Sequence, residues 1–107
     1  MNETSFPARD AWRAGVEHVF DDPSVGEMMA GLGVDREFVM AVASAEASAA
    51  DPSGVSTLTD ADLASRVGAS IREIAKARLI LVETGLETLE VHPLMRNEPL
   101  RKLHLPR

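Results

Sequence analysis

The stretch Thr59–Leu89, TDADLASRVGASIREIAKARLILVETGLETL, decides the fold. Thr59 precedes Asp60-Ala61-Asp62, a hydroxyl N-cap ahead of a first turn rich in carboxylates. That arrangement satisfies free amides and complements the positive end of a helix. Leu63, Ala64 and Val67 follow at helical spacing, and Gly68 breaks the run. Ser70-Ile71-Arg72-Glu73 then reads as a capping box, in which hydroxyl and carboxylate each serve the other residue's amide. Ile74, Ala77 and Leu81 give the second helix an apolar face, and Gly85 is a left-handed stop. The spacing predicts two helices joined by a glycine turn, the second over residues 71–84, with Ala64, Ile74, Ala77 and Leu81 buried between them.

Working outward, Asp35 is placed to cap a helix through about Ala49, with Phe38, Val39, Val42 and Ala43 on its apolar side. Its alanine-rich end allows a partner to approach closely. Asp51-Pro52-Ser53-Gly54 is a loop, and Val55–Leu58 is a short strand expected to pair with Glu87–Val91. His92-Pro93 stops the second strand, Asn97-Glu98-Pro99 is a turn, and a return strand is expected at about Lys102–Leu105. The ending Leu105-Pro106-Arg107 carries no cap, as expected of a piece of a longer protein. Residues 1–34 are a helical extension to a domain at 35–107. One helix runs from Ser5 or Phe6-Pro7 to Phe20, with Trp12, Val16, Val19 and Phe20 on one side. A second starts at Asp22-Pro23, contains Val25, Met28, Met29 and Leu32, and closes at Gly33. These helices either cover the core or supply a homodimer surface through residues 6–32. The expected class is mainly α with a small β-hairpin.

The slots at Ala64, Gly68, Ile74 and Ala77 resemble those of a helix-turn-helix, in which a small residue and a turn glycine let two helices cross closely. Ala77 is smaller than the branched residue usual there. With Gly85-Leu86 and Glu87–Val91 added, residues 36–105 are similar to the winged helix-turn-helix domains of bacterial transcription regulators of the MarR and GntR kinds and of plasmid replication initiators. The resemblance implies sequence-specific binding of double-stranded DNA by the helix at 71–84 and a wing tipped by Asn97-Glu98-Pro99, in transcription regulation or plasmid replication and maintenance. Early positions on that helix, Ser70, Ile71, Arg72, Ala75 and Lys76, would then face the major groove. Arg72 suits a bidentate contact to guanine and Lys76 a base edge or phosphate. Arg66, Arg78, Arg96, Arg101 and Lys102 would contact phosphate. Outward-facing Ile71 and Leu79 support an alternative, a winged helix used as a protein-interaction or assembly module.

Charge is unevenly spread. The 107 residues carry a net charge of −6, unusual for a DNA-binding domain. Residues 1–58 hold three arginines against ten acids, whereas residues 92–107 hold four basic groups against Glu98 alone. That asymmetry suits a molecule with one face toward phosphate. The chain has no cysteine, so disulfides and thiolate metal sites are excluded. It has no apolar run long enough for a membrane span, and Met1–Ser5 lacks a signal-peptide start, which gives a cytoplasmic expectation. His18, His92 and His104 show no metal-ligand spacing, and no serine sits in a nucleophile frame. No enzymatic activity, metal or cofactor is expected.

Overall fold

The computed structural model describes residues 6–91 and 99–105. Among them the order is α1 (Arg9–Val19), α2 (Pro23–Leu32), α3 (Arg36–Ala49), β1 (Val55–Ser56), α4 (Asp60–Val67), α5 (Ile71–Glu83), β2 (Glu87–Val91) and β3 (Pro99–Leu103). The protein is mainly helical with a small three-stranded antiparallel sheet. No helix among the described residues is long and apolar enough to cross a membrane.

Local chemistry sets the helix ends. The Asp22 carboxylate accepts from the Ser24 amide at 2.9 Å, and that bond, then the Ser24 hydroxyl, holds its pKa below the usual value. The Asp35 carboxylate accepts from the Phe38 amide at 2.7 Å. Asp51 gathers the Ser53 hydroxyl and the Ser53 and Val55 amides, which fixes the loop before β1 and lowers its pKa. Gly54 closes that loop at φ +85°, with Phe6 and the Leu103 carbonyl packed so near that a Cβ would lie 3.1 Å from the Phe6 ring. Only glycine meets both demands.

One core runs through the described chain. Trp12 and Val16 of α1, Val39, Val42 and Ala43 of α3, Leu63 of α4, and Ile74, Ala77, Ile80 and Leu81 of α5 are fully buried, and Leu86 and Leu103 join them from the sheet side. The indole Nε1–H of Trp12 donates to the Leu86 carbonyl at 2.9 Å, tying α1 to the turn before β2. The amide of His104 donates to the same carbonyl. Phe20, Val25 and Met29 are buried as well. Trp12, Val16, Phe20, Val25 and Met29 of the N-terminal helices thus help form the protein's own core, with Val19, Met28 and Leu32 half-buried against it.

Three expectations need correction. Val55–Ser56 does not pair with β2. Instead β3 lies between them, Val55 opposite Lys102 and Ser56 opposite Arg101, with Glu87 opposite Leu103 on its other side. The return strand is Pro99–Leu103 rather than Lys102–Leu105. Period-2 alternation did not reveal it because its inward face uses Arg101 beside Leu103, opposite buried Glu87 and Ser56. Ala64 is half-buried against the core rather than enclosed, and Ile80 takes a buried place that the apolar pattern did not single out. α5 itself ends at Glu83, with Gly85 following at φ +77°.

Candidate functional site

The unit α4–turn–α5 is built by two reciprocal capping boxes. The Thr59 hydroxyl accepts from the Asp62 amide at 3.1 Å while Asp62 accepts from the Thr59 amide at 3.0 Å. These bonds lower the Asp62 pKa, the backbone bond most. Gly68 ends α4 at φ +72°, and the Gly68 and Ala69 amides both return to the Ala64 carbonyl. A left-handed residue is required there for the chain to reverse within a few residues. Ser70 and Glu73 repeat the box, with the Glu73 amide 3.1 Å from the Ser70 hydroxyl and the Ser70 amide 3.2 Å from the Glu73 carboxylate. Glu73 is thus folded back on the helix start. Ser70→Ala should destabilise the protein by about 0.5–2 kcal/mol, measurable by urea denaturation with an unchanged slope.

The capped start leaves one side of α5 in solvent. Arg72 and Ala75 are exposed, Lys76 is half-buried, and Ile71 and Leu79 are 56% and 43% exposed. Arg66, in the last turn of α4, is also exposed. Ala75, Leu79, Val82 and Leu89 line a shallow groove of about 250 Å³ between α5 and the sheet, with Asp60, Arg78 and Arg101 around it. Among the described residues, three of the four exposed large apolar residues, Ile71, Leu79 and Leu89, belong to α5 and β2.

Arg78 is not a surface cation. Its side chain is 3% exposed and its donors are committed to Glu46, to Asp60 at 2.8 Å and to the Leu58 carbonyl at 2.7 Å. It belongs to the core and leaves the set of expected phosphate contacts. Arg101 donates to Glu87 at 3.0 Å. Lys102, the next residue on β3, points to the opposite face and lies near the Asp51 carboxylate, whose pKa it helps to lower. Arg101 and Lys102 therefore do not form one patch. Arg96 and the Asn97-Glu98 tip lie outside the described residues.

The buried charges were not anticipated. Glu46 and Glu87 are fully buried, with Arg78 between α3, α4 and α5. The spacing held a signal, since Val39, Val42, Ala43, Glu46 and Ala47 follow one helical stripe. Arg78 likewise falls four residues after Ile74 and three before Leu81, inside the apolar stripe of α5.

Beyond the C-terminal end of α5, His18, Val19, Thr84, Gly85, Thr88, His104 and Leu105 border an open cleft of about 700 Å³. His104 Nε2 lies 2.7 Å from the Thr88 hydroxyl. Two histidines remote in sequence thus share a cleft, but among the described residues no group of three or more His, Asp or Glu is placed to hold a metal ion. No protein-family model, curated protein or solved structure matches this chain.

Proposed function

We propose that this chain is a winged helix-turn-helix domain that binds double-stranded DNA, with α5 as the reading helix. The order helix, strand, helix, helix, hairpin supports it, as does the sheet order β1-β3-β2, which sets a hairpin beside the two-helix unit. The observation that carries the proposal is the capped first half of α5, where Arg72 and Ala75 face solvent and Lys76 is half-exposed on a helix packed against α4. Arg72 supplies the planar fork that matches guanine O6 and N7, and Ala75 suits a thymine methyl. Phosphate anchoring falls to Arg66 and to Lys76, with the free amides at the start of α5 behind them. Arg78 plays no part in it.

Arg72→Ala should weaken binding to the preferred duplex by about 1–3 kcal/mol and relax selection at one base pair, read by fluorescence anisotropy on a panel of single-base variants. Arg66→Ala should weaken all duplexes alike and reduce the slope of log affinity against log salt by roughly 0.9. If the two variants behave identically on every sequence, α5 does not read bases.

A second reading rests on the apolar groove. Ile71, Leu79 and Leu89 are exposed on a chain of net charge −6, and aliphatic side chains on a reading helix suit a protein partner better than phosphate. In that reading the same face docks another protein. Leu79→Asp together with Leu89→Asp would then abolish capture of that partner while leaving the melting temperature close to the parent's.

A further inference from the structure

Glu46 and Glu87 meet at the junction of α3, α5 and the β2–β3 hairpin, both with no accessible surface. Each is served on one oxygen only. Arg78 binds Glu46 through Oε1, and Arg101 binds Glu87 through Oε1. Oε2 of Glu46 and Oε2 of Glu87 are the buried side-chain polar atoms that lack any hydrogen-bond partner among the described residues. Buried carboxylate oxygens are not left unpaired without a large cost. The Arg78 hydrogen bonds run from Nε to Glu46 Oε1, from Nη1 to Asp60 and from Nη2 to the Leu58 carbonyl, and none reaches either Oε2.

The charges point the same way. Glu46 from α3, Arg78 from α5 and Arg101 from β3 are the charged groups facing Glu87, and Asp60 of α4 stands beyond Arg78. Three carboxylates therefore share two guanidiniums, with Glu46, Glu87 and Arg78 buried and Asp60 and Arg101 at the edge. The two glutamate carboxyls lie within hydrogen-bond reach of each other. An anionic pair so placed repels, whereas an acid facing a carboxylate forms a strong charge-assisted bond.

We propose that Glu46 and Glu87 bind one proton between their Oε2 atoms at neutral pH, making this junction a proton-binding site that holds the hairpin against the helices. The proton joins the two orphaned oxygens in one hydrogen bond and brings the cluster to charge neutrality. Burial is the leading cause that pushes the Glu87 pKa up to about 9, with the Glu46 hydrogen bond and charge adding to it, against an ordinary value of 4.5.

A folded-state pKa raised in this way makes the acid's contribution to stability complete below pH 4.5. The contribution declines through neutral pH and is gone above about 9, because the unfolded chain has released the proton that the folded chain still holds. Asp22, Asp51 and Asp62, whose pKa values are lowered from 3.8, contribute stability that is fully present above that value and lost as pH falls below it, outside this window.

The test is a carbon NMR titration of the full chain labelled at the glutamate carboxyl carbons, with melting temperature recorded over the same pH range. One carboxyl should keep the shift of a protonated acid at pH 7 and titrate in the alkaline range, and the melting temperature should fall steadily from pH 6 to 9. In Glu87→Gln, whose amide can donate to Glu46 without a titrating proton, that signal should vanish and the decline should flatten. All glutamate carbons titrating below pH 6 in the unmodified protein overturns the proposal, whether or not the variant folds. So does an unchanged alkaline decline in a folded Glu87→Gln.

Discussion

Arg78→Ala should destabilise the protein by about 3–5 kcal/mol, the loss expected when one partner is removed from a buried ion pair. Glu46 has no access to water, so the variant strands its carboxylate beside Glu87 and leaves the Leu58 carbonyl without its donor. For a domain of this size total stability is about 5–15 kcal/mol, so the loss is a large fraction of it. Urea denaturation read by circular dichroism measures it. The double replacement of Arg78 and Glu46 by methionine should recover part of the loss, since buried pairs are often no better than apolar residues of similar volume. A surface arginine contacting phosphate would instead show a loss below about 0.5 kcal/mol, so the result also checks its removal from the DNA-facing set.

Trp12→Ala should cost about 3–5 kcal/mol through the cavity left in the core. Trp12 is wholly enclosed and links α1 to the turn before β2. Trp12→Phe should cost less, because the Leu86 carbonyl keeps the His104 amide as a donor and only a net bond of about 1 kcal/mol is lost. Thermal melts of the two variants separate volume from hydrogen bonding. A near-neutral Trp12→Ala would mean that α1 is an appendage, and residues 6–32 would again be candidates for a dimer surface.

The contrast between what the residues foretold and what they concealed has a physical basis. Helix ends were legible because caps are local: Asp22, Asp35, Thr59 and Ser70 each bind an amide two or three residues away, and a short window of sequence contains both partners. The buried charges were hidden because their partners are distant. Glu46 makes sense only against Arg78, and Arg101 only against Glu87. A residue-type rule sends such side chains outward, and position on the helical stripe was the only counter-signal. The pairing of β1 was missed for a related reason. β3 presents Arg101 and Lys102 at its centre, so its claim to the middle of the sheet rests on tertiary partners that the local pattern does not display. Of the candidate site, Arg66, Arg72 and Ala75 stand exposed as expected and Lys76 partly so, whereas Arg78 and Arg101 are held by carboxylates.

The central claim, that α5 reads DNA, is tested most directly by selecting from a pool of random duplexes with the whole chain at low and at moderate salt, in parallel with Arg72→Ala. The account predicts enrichment of a defined sequence containing a guanine, affinity that falls as salt rises, and loss of selection at one base pair in the variant. Absence of enrichment together with no duplex binding even at low salt would contradict it, and the groove of Ala75, Leu79, Val82 and Leu89 would then stand as a protein-docking face.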